Sequence, residues 1–459
     1  MKKIFLFAAA AALFAACSNS DELATAQAPE VVQGEIPVGF DVYTSRALTR
    51  AGNAGADTDL TILKKSDSEG GGFGVFGYYT DNNTYDGLTT PNFMYNQGVF
   101  WNTNAFKYEP LKYWPNEYGT TAVSDDVDKV SFFAYAPYVA VTPATGKVTG
   151  DATSGIVGLS RNSAAGDPIV KYIADLDPAK AVDLCWGVVG SSEGTWSAID
   201  GDQTMTVGKP WLDVHRAKTA TSQKMKFTFK HALAKLNVQV DAAVDATTAG
   251  TGVDEKTKIY IRSITFSGFA LKGALNLNNT AADTPLWLGF AGTNDLEAGE
   301  EVTIYDGLKD GKEGVAKATN EKVTGLNDQL RQLTEWGASG ESSGVTASAL
   351  NLFNHTTASQ PVYVIPTGET IKVTIVYDVE TADSNLATYL SDGKTPGSSI
   401  ENRITQNITF GSSDDKDKFV AGKAYTLKLH LGLTSVKFDA DVTNWVSADE
   451  GSADLPANQ

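Results

Sequence analysis

The chain has 459 residues, 42% hydrophobic and 20% charged, a globular composition long enough to bury sizeable cores. Its two cysteines, Cys17 and Cys185, exclude a disulfide-dense scaffold and a cysteine-rich zinc module. A net charge of -18, from 37 basic and 55 acidic residues, argues against a nucleic-acid partner, because neutralising phosphates needs a basic surface.

In chain order, Lys2 and Lys3 precede an apolar run from Ile4 to Ala16. That run is too short to span a bilayer, which takes about 20 residues, and it has the build of a secretory signal. Residues 18–34 are polar and Ala-rich and read as a tether. A strand is expected over Ile36–Tyr43, where Ile36, Val38, Phe40 and Val42 alternate with polar or small residues. Arg46-Ala47 and Arg50-Ala51 follow at once, ahead of a small, Gly-containing linker to Asp57.

Beyond the linker, short strands alternate with breaker clusters. They are expected over Gly72–Tyr79, Val130–Tyr138, Leu184–Val189, Met225–Val240, Lys258–Phe269, Val362–Ile365, Ile371–Val379, Ala424–Leu433 and Ser435–Val446. Strict period-two runs of this kind mark antiparallel sheets with one buried face. Segments 241–257, 278–303 and 380–403 read as loops, and Thr324–Leu333 is the best helical candidate. Within Met225–Val240 the apolar parity changes: Phe227, Phe229 and Leu233 lie on one face and Leu236, Val238 and Val240 on the other. A bulge or bend near Ala234, or a passage between sheets, is therefore expected. The fold class is all-β, with two β-sandwich domains and few short helices. The expected division is 1–16 signal, 17–50 leader, 51–222 first sandwich, 223–446 second sandwich and 447–459 polar tail.

Several motifs are familiar in their order and spacing. They are "YEPLKYWP" (108–115), "KVSFFAYAPY" (129–138), "FTFKHALAKLNVQV" (227–240), "YVIPTG" (363–368) and "AYTLKLHLGLTSVKFDADVTNW" (424–445). Ala15-Ala16 before Cys17 resembles a bacterial lipobox, with Phe14 where Leu is usual, and Asp21-Glu22 resembles a Bacteroidetes surface-export signal. Together these features resemble the fimbrillin-like pilins of Bacteroidetes, the subunits of type V pili. The resemblance implies transthyretin-like, Greek-key sandwiches and export to the outer membrane as a palmitoylated lipoprotein anchored through Cys17. It implies cleavage by an Arg-specific surface protease, which removes the leader with its strand. The sites that match are Arg46 and Arg50, which would leave Ala47 or Ala51 as the new N-terminus. It implies further that a strand from the next pilin subunit fills the vacated groove, giving a head-to-tail extracellular fimbrium for adhesion.

Elementary physics makes that scheme coherent. Removing Ile36–Tyr43 would bare an apolar groove with unpaired backbone groups, and an added strand would satisfy both. Val436, Phe438, Ala440, Val442 and Val446 form the apolar parity of the last strand, a candidate donor. That segment is equally readable as the closing strand of the second sandwich. Without residues 1–50 the chain keeps 33 basic and 50 acidic residues, a charge of -17, so the acidity belongs to the processed subunit.

Two other readings compete: a glycan-binding lipoprotein that stays anchored at Cys17, and a tip or accessory subunit of the same pilus. The aromatics Tyr108, Tyr113, Trp114, Phe132, Phe133 and Tyr135 suit either a sugar platform or a sandwich core, and core is the plainer reading. His231 reads as a structural hydrogen-bonding residue, since His215, His355 and His430 show no metal spacing to it. Asp125-Asp126-Asp128 and Asp414-Asp415-Asp417 read as solvated loops without an EF-hand pattern. Cys185, beside Trp186, reads as a core thiol without a base partner. No catalytic constellation, metal set or cofactor motif is expected: "GGGFGVFG" (70–77) leads into a strand rather than a phosphate-binding helix.

Overall fold

Alternating apolar side chains build strands nearly throughout the described chain. The structure is a computed structural model that describes residues 37–43, 63–115, 128–190, 195–198, 201–215, 224–242, 257–279, 284–292, 296, 301–306, 350–351, 361–390, 393–410, 416–431 and 436–444. The first strands are β1 (Gly39–Tyr43), β2 (Phe73–Asp81), β3 (Met94–Asn102), β4 (Ala105–Lys107), β5 (Lys129–Ala136), β6 (Val141–Thr142), β7 (Lys147–Val148), β8 (Gly155–Leu159) and β9 (Ile169–Ile173). Next come β10 (Cys185–Val189), β11 (Thr195–Ala198), β12 (Gly201–Thr204), β13 (Trp211–His215), β14 (Lys224–His231), β15 (Ala234–Ala242), β16 (Thr257–Ser267), β17 (Phe269–Ala270) and β18 (Lys272–Asn276). The last are β19 (Leu286–Leu288), β20 (Val302–Asp306), β21 (Leu350–Asn351), β22 (Val362–Pro366), β23 (Lys372–Ala382), β24 (Gly397–Asn407), β25 (Lys423–Leu431) and β26 (Val436–Asn444). A 3-10 turn, Asp67–Glu69, precedes β2. Among the described residues no helix is long and apolar enough to cross a membrane.

One sheet runs β1-β14-β10-β5-β2-β3-β4, with β13 also paired to β5. A second runs β19-β18-β9-β8-β7-β6. A third runs β17-β22-β15-β25-β26 with β21 on β15, a fourth runs β20-β16-β23-β24, and β11 and β12 form a small ribbon. The third and fourth sheets enclose one core, with Leu236, Val238, Leu427 and Leu429 from one meeting Ile261, Ile264, Val373 and Ile375 from the other. The first sheet carries apolar side chains on both faces. Phe76, Tyr135 and Trp186 meet Val170, Tyr172 and Leu275 of the second sheet. Phe73, Phe132 and Phe227 lie in a separate core with Val38 and Phe40.

The all-β architecture matches the sequence pattern, and three details differ from it. Most ladders are antiparallel, but β1 pairs parallel with β14 and β15 pairs parallel with β25. The parity change in 225–240 is, of the expected alternatives, the passage between sheets: β14 ends at His231, β15 starts at Ala234, and the two strands lie in different sheets. Within 380–403, expected as loop, β24 begins at Gly397 and pairs with β23 over eleven residues. It is an edge strand with mostly exposed side chains, so it needs no apolar alternation. Similarly, β19 lies inside the expected loop 278–303. Strands from either side of residue 222 share the second sheet, where β18 pairs with β9. Thr324–Leu333 lies outside the described residues.

Candidate functional site: the leader strand and its groove

The expected leader strand forms the outer strand of the first sheet. Its five residues pair in parallel with β14, from Gly39 opposite Lys224 to Tyr43 opposite Thr228. Just upstream, the Val38 N–H donates to the Lys112 carbonyl at 2.8 Å, and Pro37 bridges antiparallel to Tyr113. The leader is thus held from both sides, by β14 and by the 108–115 arm.

Its alternation is expressed as burial. Val38 and Phe40 are 1% and 2% exposed, while Val42 is half-buried and packs on the same core. The Phe40 ring centroid lies 5.5 Å from Tyr108, 5.6 Å from Phe132 and 5.9 Å from Phe227. Burying such side chains stabilises by about 1.5–3 kcal/mol each. Gly187 of β10 makes room for this packing, because a Cβ there would sit 2.9 Å from the Phe227 ring and 2.8 Å from Ala134 Cβ.

Tyr108 pins the leader backbone. Its hydroxyl donates to the buried Val38 carbonyl at 2.7 Å, and the Lys112 N–H donates to the same hydroxyl oxygen at 3.3 Å. Burial pushes the phenol up to about 12, so it stays a donor at ordinary pH. Beside the leader runs a groove of about 900 Å³, walled by Val38, Phe40, Phe100, Phe106, Tyr108 and Leu111 among others.

The other predicted positions fall as follows. Cys17, Ile36, Arg46, Ala47, Arg50, Ala51 and Val446 lie outside the described residues. β26 is the last strand of its sheet and pairs antiparallel with β25 over nine residues. Val436, Phe438, Ala440 and Val442 stand opposite Leu431, Leu429, Leu427 and Tyr425. Ala440 packs partly buried on the core, and Val442 is 40% exposed. Of the six aromatics, five are buried and only Tyr113 is exposed, so they build core rather than an open stacking platform. Asp128, expected in a solvated loop, is buried and accepts the Tyr79 hydroxyl at 2.7 Å.

Two readings needed the structure. The groove is assembled from segments far apart in sequence, and only the apolar parity of each hinted at it. Cys185 does have a base beside it, contrary to expectation: His231 Nδ1 is 3.5 Å from its sulfur and 2.9 Å from Asp183 Oδ2. His231 is a hydrogen-bonding residue, as its setting in β14 implied.

Comparison with known proteins gives the same direction. No family model matches the chain. It is 36% identical over 138 residues to the fimbrium subunit Fim1C of Phocaeicola vulgatus, a match covering 29% of this chain and 30% of that protein. The chain therefore spans under a third of the length of that curated relative. The crystal structure of a fimbrial protein from Bacteroides vulgatus aligns over 89% of this chain and 99% of that one, with 21% identity and a TM-score of 0.50. Over part of its length the chain is thus similar in sequence to a fimbrium subunit, and over most of its length it shares the fold of a fimbrial protein.

Proposed function

We propose that the chain is a structural subunit of a cell-surface fimbrium, assembled with other pilin subunits. It is exported as an outer-membrane lipoprotein through Cys17. An Arg-specific surface protease cuts after Arg46 or Arg50, and β1 leaves with the lipidated leader. A neighbouring subunit then supplies a strand, drawn from β26, to the vacated groove. Such a contact is head-to-tail and does not close, so it propagates as a filament.

The observation that carries this reading is the seat of β1: Val38 and Phe40 are buried in a core built by β5, β14 and Tyr108. A strand so seated cannot leave without exposing apolar surface and β14 backbone, and a replacement strand restores both. The test is to treat the full precursor with trypsin and follow it by gel and electron microscopy. Ladders and filaments support the reading. A cleaved chain that stays monomeric and binds oligosaccharides instead would favour an anchored glycan-binding lipoprotein.

A further inference from the structure

Asp183, Cys185 and His231 meet where the chain passes from the first sheet to the third. The geometry points to a zinc-type divalent metal site formed by Asp183 Oδ2, Cys185 Sγ and His231 Nδ1.

Local structure brings them together. Asp183 and Cys185 are two residues apart at the start of β10, and Cys185 is the register partner of His231, the last residue of β14. All three are buried: Cys185 is 0% exposed, Asp183 1% and His231 7%. Their donor atoms form a small triangle, with edges of 3.5 Å (Sγ to Nδ1), 3.7 Å (Sγ to Oδ2) and 2.9 Å (Nδ1 to Oδ2).

That triangle has the size of a ligand face. With metal–sulfur near 2.3 Å and metal–nitrogen or –oxygen near 2.1 Å, tetrahedral ligands lie about 3.4–3.6 Å apart. The two sulfur edges already fit, and the carboxylate–imidazole edge opens by about 0.5 Å to admit an ion. A nucleophilic relay is a poorer fit. It needs one ring nitrogen on the carboxylate and the other on the nucleophile, whereas here Nδ1 faces both. Convergence on one point is what chelation requires. Charge agrees: a thiolate, a carboxylate and a neutral imidazole cancel a dication, and mixed N, O and S donors suit zinc.

The position gives the site a role. Ala232, next in the chain, donates its N–H to the Leu184 carbonyl at 2.9 Å and accepts the Trp287 indole N–H at 2.9 Å. An ion at this point would clamp the crossover between sheets, at the far end of the strand that receives β1.

Because the site is buried, loading is tested by refolding the full chain, carrying Cys17→Ser so that Cys185 is the sole thiol, with Zn²⁺ or Co²⁺. The expected result is one equivalent of metal retained after dialysis, a thiolate-to-cobalt charge-transfer band and a raised melting temperature with Zn²⁺. Asp183→Asn should weaken binding at least tenfold, and Cys185→Ser should remove the charge-transfer band. The cobalt spectrum of the chain with Cys185 intact reports thiolate ligation even if that last variant folds poorly. A folded chain that retains no stoichiometric metal, or binds it without the thiolate band, overturns the proposal.

Discussion

The leader strand β1 and the C-terminal strand β26 are both outer strands, yet their described residues differ in burial and in ladder length. β1 has a ladder of five residue pairs and places Val38 and Phe40 at 1% and 2% exposure. β26 has a ladder of nine pairs, with Ala440 partly buried and Val442 40% exposed. Among the described side chains burial is the stronger on β1, while the backbone ladder is the longer on β26. A strand anchored by side chains leaves an apolar slot when it goes. A strand anchored by its ladder can be re-paired along another sheet edge, because the ladder is indifferent to which chain supplies it.

Four changes break or sharpen this contrast. The largest effect is expected from Arg46→Gln combined with Arg50→Gln: filament yield after protease treatment falls to background on electron micrographs. The same variant should unfold in urea within about 0.5 kcal/mol of the unaltered chain. Next, Phe40→Ala leaves a cavity between Tyr108, Phe132 and Phe227 and should cost about 3–5 kcal/mol in the precursor. It should cost nothing once β1 has been removed, which separates the leader's own contribution from that of the rest.

Tyr108→Phe removes the hydrogen bond to the Val38 carbonyl and should cost about 1 kcal/mol. It also has a pH signature. Burial raises the phenol from 10.0 to about 12, so the folded state keeps its proton longer than the unfolded one. That contribution is whole below pH 10.0 and is lost as pH rises towards about 12. The stability difference between the unaltered chain and the Tyr108→Phe variant should therefore shrink across that interval when unfolding is followed by circular dichroism. Smallest of all, Val442→Ala on the half-open face of β26 should change stability by no more than about 0.5 kcal/mol.

How much of this was legible beforehand follows from range. The alternation of Val38, Phe40 and Val42 announced a strand with one buried face, because that pattern is local. Its partner was not legible: Lys224–Thr228 lies far along the chain, and the parallel pairing leaves no signature in either segment. The parity change in 225–240 correctly marked a passage between sheets, since a strand that turns its apolar face must find a second core. β24 escaped notice because Gly397–Asn407 keeps most of its side chains in solvent, so hydrophobic periodicity has nothing to register. For the Asp183–Cys185–His231 cluster, only the closeness of Asp183 to Cys185 along the chain was visible, since Asp183 lies two residues before Cys185, where β10 begins. The missing link was the register that sets His231 opposite Cys185.

The central claim is that polymerisation requires β1 to leave, and a reversible lock tests it most directly. Asp41 and Lys226 are register partners across β1 and β14, so Asp41→Cys with Lys226→Cys, in a Cys17→Ser chain, ties the leader to its seat. Oxidised, this chain should be cut by trypsin after Arg46 or Arg50 yet remain monomeric by gel filtration, and reductant should release the leader peptide and start filament growth. Filaments that form while the disulfide is intact and the leader still bound would contradict the account.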